Sequence, residues 1–230
     1  MLFREEDEDL EILPFEDRTE AGRILAGRLS AYAGRSDVVV LGLPRGGALV
    51  ASAVASELHL PWDVFVVTKL GTPWQPELAV GAVAAGGVQV LDLSLIEALG
   101  VSDADIQEAK ATGRMELAAR ESLYRGGRLP LELQGRTIIL VDDGIATGCS
   151  VLAAIAAVRR RSAARVVVAV PVAPASGCSG VRMEADDVIS VAEPEMFLAV
   201  SEWYRNFPQV GDEEVRRLLG GVERSVPRVA

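Results

Sequence analysis

The stretch 137–156 constrains the fold of this chain more than any other. It opens on Thr137-Ile138-Ile139-Leu140-Val141, which carries no charge and is rich in β-branched residues. A short run of that kind suits a strand buried on both faces of a parallel sheet. Two acids, Asp142 and Asp143, follow at once, and then the small and hydroxyl residues of Gly144-Ile145-Ala146-Thr147-Gly148-Cys149-Ser150. The apolar segment Val151-Leu152-Ala153-Ala154-Ile155-Ala156 continues as a helix. Open α/β sheets bind ligands beyond the carboxyl ends of their strands, which is where these acids and this loop belong.

The rest of the chain supplies a matching framework. The spacing predicts a helix over 17–32, a strand over 37–43, a helix over 48–58 and a strand over 63–68, a βαβ unit of expected right-handed crossover. Segments 79–84 and 88–91 flank Ala85-Gly86-Gly87 and predict a hairpin. The region 94–123 has helical pattern, with Ser94 as a cap, Gly113 as an interruption and Ser102 with Asp105 as a second start. Residues 124–130 read as a loop. Strands are expected at 137–141, 165–172 and 187–190, and helices at 151–161 and 212–219. The alternation argues for an α/β fold, a Rossmann-like, mostly parallel sheet flanked by helices. The expected layout is an acidic arm over 1–14, one domain over 15–220 with an enlarged helical and hairpin insertion at 70–136, and a tail over 221–230.

The chemistry of 138–150 divides in two. Small residues let backbone N–H groups approach an anion, and a helix start adds partial positive charge and unpaired donors. Thr147 and Ser150 add hydroxyl donors. A phosphate avoids carboxylates, whereas vicinal sugar hydroxyls are donors that suit Asp142 and Asp143. A ligand with both a diol and a phosphate fits this order of residues, and ribose 5-phosphate is the common one.

Four apolar residues, two acids and a small/Thr/Gly loop resemble the phosphoribosyl-diphosphate signature of type I phosphoribosyltransferases. The resemblance implies that Asp142 and Asp143 hold the ribose hydroxyls and that Ala146, Thr147, Gly148, Cys149 and Ser150 hold the 5-phosphate. Ser150 departs from the usual Thr but keeps the hydroxyl. The family also places a pyrophosphate-binding loop, often with a cis peptide, after the first strand. Arg45, Gly46 and Gly47 of Leu43-Pro44-Arg45-Gly46-Gly47 match that position. The Leu-Pro-Arg-Gly-Gly loop, a Lys-Leu-Gly strand end, a Tyr-Arg-Gly-Gly loop and a terminal Trp-Tyr segment resemble those of uncharacterised bacterial phosphoribosyltransferase-like proteins. That resemblance spans about residues 15–220.

Other residues are candidates on chemistry. Arg45 offers a planar fork to a diphosphate. Lys69, one of two lysines in the chain, ends a buried strand and should face the crevice of Asp142. Asp142, Asp143, Lys69 and Arg45 are therefore the expected catalytic set. Arg125 and Arg128 lie in a glycine-containing loop and are candidate pyrophosphate clamps, or else surface arginines. Trp74 and Glu77 occupy a rigid turn, with stacking on a base as the functional reading. Trp203, Tyr204, Phe207 and Gln209 either form one wall of a base-selecting hood or staple the tail to the core. The segment 94–123 reads as packing or dimer surface, so a homodimer is one expected assembly.

Composition excludes other classes. A net charge of −10 argues against a general grip on nucleic acid, which needs a basic face. No apolar run approaches the roughly 18 residues of a membrane span, and no secretory pattern opens the chain. A cytoplasmic protein is expected. Cys149 and Cys178 show no metal-ligand spacing, and the single histidine, His59, reads as a helix end. The resemblance implies Mg²⁺ carried on the substrate diphosphate, phosphoribosyl diphosphate as donor and a nitrogenous base or related amine as acceptor. A non-catalytic sensor of phosphoribosyl diphosphate or nucleotide is the alternative. A phosphatase with Asp142 as nucleophile is weaker, because its other elements are not evident.

Overall fold

The computed structural model describes residues 14–72, 74–126, 129–175 and 178–220, with the backbone alone at 75–78. Residues 1–13 of the acidic arm, Arg128 and the tail therefore lie outside the described residues, as does the side chain of Glu77.

Five parallel strands form the main sheet, in the order β2-β1-β6-β7-β8. They are β1 (Val38–Gly42), β2 (Trp62–Val64), β6 (Thr137–Val141), β7 (Arg165–Val172) and β8 (Asp187–Ala192). From β1 the chain winds one way to β2. It then leaves, returns to the other side of β1 as β6, and winds outward through β7 to β8. The strand order thus reverses between β1 and β6, and such a switch point opens a crevice at the carboxyl ends of the two strands. Gly42 pairs with Val141, so β1 and β6 end level and their loops leave side by side.

Helices cover both faces. Helices α1 (Arg18–Arg28), α2 (Gly46–Leu58) and α7 (Asp212–Gly220) pack with Val38, Val40, Ile139 and Val141. Helix α5 (Cys149–Arg160) packs with Val39, Leu41, Ile138 and Leu140 on the other face. The short α6 (Ser179–Glu184), which the sequence pattern does not reveal, packs against α5. Alternate strand residues thus serve opposite cores, as a two-residue side-chain period requires.

The insertion is a second layer pair. An antiparallel sheet of β3 (Val67–Thr72), β4 (Gln75–Ala84) and β5 (Val88–Leu91) is followed by α3 (Leu93–Leu99) and α4 (Asp103–Arg125). Leu70 and Val83 join Leu117 and Tyr124 of α4 in one core, while Ala82, Ala84 and Val88 face α5 in the other.

Several boundaries differ from the expected ones. The strand expected over 63–68 is two strands in different sheets. Phe65 still donates to the Gly42 carbonyl at 2.9 Å, but Val67 pairs with Ala84. An apolar run buried on both sides of the corner carries no trace of the turn. Asp92, not Ser94, caps α3 by accepting from the Leu95 amide at 2.9 Å. Ser102 and Asp105 do form a capping box. Gly113 does not interrupt α4. A Cβ there would lie 2.6 Å from Leu70 Cδ2, so the glycine lets the helix lie close on β3. Tyr124 and Arg125 end α4 rather than open a loop.

Helix α1 lies equally close on α2. A Cβ on Gly22 would sit 2.7 Å from both the Val50 carbonyl oxygen and Ala53 Cβ. Gly22→Ala gains about 1 kcal/mol of helix propensity, but overpacking against a backbone oxygen costs about 1–3 kcal/mol. The cost should win, so Gly22→Ala lowers the urea midpoint. An unchanged or higher midpoint would show that α1 slides off α2 freely.

Candidate active site

The level ends of β1 and β6 build the floor of a cleft of about 780 Å³. The loop after β1 contains a cis peptide between Pro44 and Arg45, as the resemblance implied. It leads into α2, whose first turn presses on the acids. A Cβ on Gly47 would lie 2.8 Å from Asp142 Cα, and one on Gly46 would lie 1.9 Å from Asp143 Oδ2. Only glycine allows that approach at Gly46, because a carboxylate would have to give up its place.

Each acid has one oxygen engaged within the protein. Asp142 Oδ1 accepts from the Asp143 amide at 2.9 Å. Asp143 Oδ2 accepts from Arg18 Nε at 2.7 Å. Among the described residues, Asp142 Oδ2 and Asp143 Oδ1 accept no hydrogen bond. Burial, and then the charge of Asp143, pushes the Asp142 carboxyl well above the usual carboxylate range, with Lys69 and Arg18 opposing.

Beyond the acids, Gly144, Ile145, Ala146, Thr147, Gly148 and Ser150 line the cleft, and the loop ends at the start of α5. Gly148 stands at φ 79°, a left-handed conformation that glycine adopts without penalty. No side chain caps α5, so its first amides are open to an anion at the end where the helix dipole favours one. Ala146 and Thr147 are exposed beside them.

The walls come from three elements. Thr68, Lys69, Gly71 and Thr72 of β3 form one side, and exposed Lys69 makes no ion pair among the described residues. Helix α4 turns Glu108, Thr112, Glu116 and Arg120 to the cleft, with Arg120 3.7 Å from Glu116. The helical region 94–123, expected as packing or dimer surface, thus also gives one stripe to the cleft. Its signal was in the sequence: four-residue spacing over 108, 112, 116 and 120 puts these side chains on one stripe, with the small residues Ala109 and Gly113 alongside. The third wall is the strap 200–210, which contributes Val200, Phe207, Gln209 and Val210.

The strap's aromatics divide between the core and the cleft. Tyr204 packs on Phe15 with ring centres 5.4 Å apart, and the Phe15 amide donates to the Trp203 carbonyl at 2.9 Å, a staple to the core. Phe207 and Gln209 face the cleft. Tyr204 also donates to the Asp143 carbonyl at 2.5 Å.

Arg45, Gly46, Lys69, Asp142, Asp143, Ala146, Thr147, Gly148 and Ser150 thus come together. Other expected residues do not line the cleft. Gly47 is buried behind the acids. Cys149 is buried in the first turn of α5, and burial pushes its thiol up rather than activating it. Arg125, expected in a loop as a candidate clamp, instead ends α4 ion-paired to buried Asp63 and does not line the cleft. Trp74 is 56% exposed and away from the cleft lining. His59 ends α2 at φ 53°, as expected. Arg18 was missed. Its signal is an arginine in the first turn of a helix, where the dipole disfavours a cation, so another partner must hold it.

A family model described as a phosphoribosyl transferase domain matches residues 11–206. Two curated proteins from strains of Mycobacterium tuberculosis, each named "Putative phosphoribosyl transferase", are 44% identical over 210 residues, which is 91% of this chain. The chain spans about half, 47%, of the length of those relatives. The crystal structure of TT1426 from Thermus thermophilus is 40% identical and superposes with a TM-score of 0.73, covering 89% of this chain and 97% of that one.

The upward shift at Asp142 has a measurable consequence. As pH rises from about 4 the unfolded chain loses this proton first, so ionising Asp142 costs stability. Asp142→Asn keeps an oxygen for the Asp143 amide and removes the buried charge. At pH 7 it should melt about 2–4 °C above the parent, and the gain should fade as pH falls to about 4. A variant that melts lower at pH 7 would contradict the assignment.

Proposed function

The chain belongs to the phosphoribosyl transferase family, and on that footing we propose that it transfers the ribose 5-phosphate group of phosphoribosyl diphosphate to a nitrogenous base or related amine, releasing pyrophosphate. The observation that carries this reading is the arrangement along one loop. Two carboxylates each present an unshared oxygen at the end of β6, and an uncapped helix start follows at the far end of the same loop. A vicinal diol and a phosphate on one sugar match those two halves.

The remaining groups then have roles. Arg45 and Lys69, both exposed at the cleft, stabilise charge on the departing pyrophosphate. The bond from C1 of the ribose to the diphosphate oxygen breaks, and its electron pair leaves with pyrophosphate. A nitrogen lone pair closes on C1, and the proton then carried by that nitrogen passes to water. The ring gains oxocarbenium character on the way, as in other glycosidic displacements. Asp142 and Asp143 orient the sugar and oppose that positive charge. None of this needs a covalent nucleophile from the protein.

Magnesium takes oxygen ligands and keeps several waters. Among the described residues no group of three or more histidines, cysteines or carboxylates could hold a metal ion by itself, so an ion here would arrive on the diphosphate, with the adjacent Asp142 and Asp143 as the oxygen ligands nearest the sugar. Bound there, it would supply positive charge to offset the charge on the leaving group. The acceptor would lie between the α4 stripe and the strap, where Glu116, Phe207 and Gln209 offer both polar and aromatic contacts.

Labelled phosphoribosyl diphosphate with Mg²⁺ and a panel of bases tests the proposal. Label should move to at least one base as pyrophosphate appears. Lys69→Ala should weaken phosphoribosyl diphosphate about tenfold or more, the scale of a lost charged hydrogen bond, and leave ribose 5-phosphate nearly unaffected. Folded protein that binds no phosphoribosyl diphosphate would reject the reading. Tight binding without transfer to any base would favour a sensor.

A further inference from the structure

Three contacts of Arg18 converge on the cleft. Its Nε donates to Asp143 Oδ2 at 2.7 Å. Its Nη1 donates to the Pro208 carbonyl at 2.9 Å. Its guanidinium carbon lies 3.6 Å from the centre of the Phe207 ring. The side chain is almost wholly enclosed, at 6% exposure for the residue. A planar fork that also stacks on an aromatic face is something arginine provides and lysine does not.

These contacts join parts of the chain that are far apart in sequence. Asp143 belongs to the floor, and Phe207 and Pro208 belong to the strap that walls the cleft. The same strap holds Asp143 a second time, through the Tyr204 hydroxyl on its carbonyl. Asp143 is therefore held at both side chain and backbone by one assembly. A buried ion pair adds little net stability once desolvation is counted, so stability alone is a poor account of it. Its direct geometric effect is on Asp143 Oδ1, the oxygen left facing a ligand. With Oδ2 fixed on Arg18, the carboxylate cannot rotate away.

We propose that Arg18 is a positioning residue: it locks Asp143 so that one carboxylate oxygen meets a ribose hydroxyl, and it couples that acid to the strap. This rests on the phosphoribosyl reading of the cleft. The contacts of Arg18 lie on Asp143 and the strap rather than on the phosphate cradle or Lys69, so its effect is confined to recognition of the diol. The strap that faces the acceptor and the acid that holds the sugar then keep a common position, which aligns the two reactants.

Calorimetry with three probes separates this role from a merely structural one. The probes are inorganic phosphate, 2-deoxyribose 5-phosphate and ribose 5-phosphate. The parent protein should prefer ribose 5-phosphate over the deoxy sugar by about tenfold, the worth of a charge-assisted hydrogen bond. Arg18→Gln should bring that ratio to within about twofold of unity while inorganic phosphate binds within about twofold of the parent. Arg18→Lys, which keeps the charge but not the fork or the stacking, should give an intermediate ratio. A folded Arg18→Gln protein with the parent ratio would overturn the proposal. If Arg18→Gln does not fold, the parent ratio in folded Arg18→Lys would overturn it equally. A parent protein that binds ribose 5-phosphate no better than inorganic phosphate would instead reject the phosphoribosyl reading, and this inference with it.

Discussion

The in-register parallel pairing of β1 with β6, Gly42 opposite Val141, is the constraint on which the site depends. The Leu43 amide extends it by donating to the Val141 carbonyl at 2.8 Å. Two strands that end level send out two loops that must share the same space. One of them carries a pair of acids, so the other can carry almost nothing. Gly46 and Gly47 meet that demand, because a Cβ on either would collide with Asp142 or Asp143. The approach places the start of α2 against the acids and leaves Arg45 exposed at the cleft edge. The start of α5 then supplies the amides at the other end of the same loop. The site is a direct consequence of where two strands stop.

Charge distribution follows from the same geometry. Two carboxylates placed side by side at a buried edge repel each other, and the protein relieves them unequally. Asp143 has Arg18 at 2.7 Å. Asp142 has the Asp143 amide as its hydrogen-bond partner among the described residues, and burial keeps its carboxyl shifted upward. The floor is thus held under an electrostatic cost that cations in the cleft, or hydroxyl donors from a sugar, would reduce. Such costs are common where a protein keeps a site ready for a ligand.

Much of this was legible in the sequence where one residue type had one explanation. Strands at Thr137–Val141 and Arg165–Val172 match their expected limits, the first because Arg136 and Asp142 bound it and the second because a β-branched run opens at Arg165 and stops before Ala173-Pro174. The hairpin at 85–87 was marked by paired glycines, both at positive φ. Sequence reading failed where one residue type serves two purposes. Gly113 looked like a break and is instead a contact with Leu70. Arg125 looked like a ligand clamp and is a partner for buried Asp63. The corner between β2 and β3 is apolar on both sides and leaves no mark. Arg18 carried only the hint of a cation at a helix start, and its partners Asp143, Phe207 and Pro208 were unreadable because they are far along the chain, the nearest 125 positions away. Long-range pairing of that kind is set by the sheet order, which local pattern does not encode.

A crystal structure of the protein with phosphoribosyl diphosphate and Mg²⁺ tests the central claim most directly. The account predicts the 5-phosphate on the amides of 146–150, the ribose hydroxyls on Asp142 Oδ2 and Asp143 Oδ1, and the diphosphate beside Arg45 and Lys69. A sugar phosphate bound in the cleft with its hydroxyls turned from both acids, or its phosphate away from the start of α5, would contradict it.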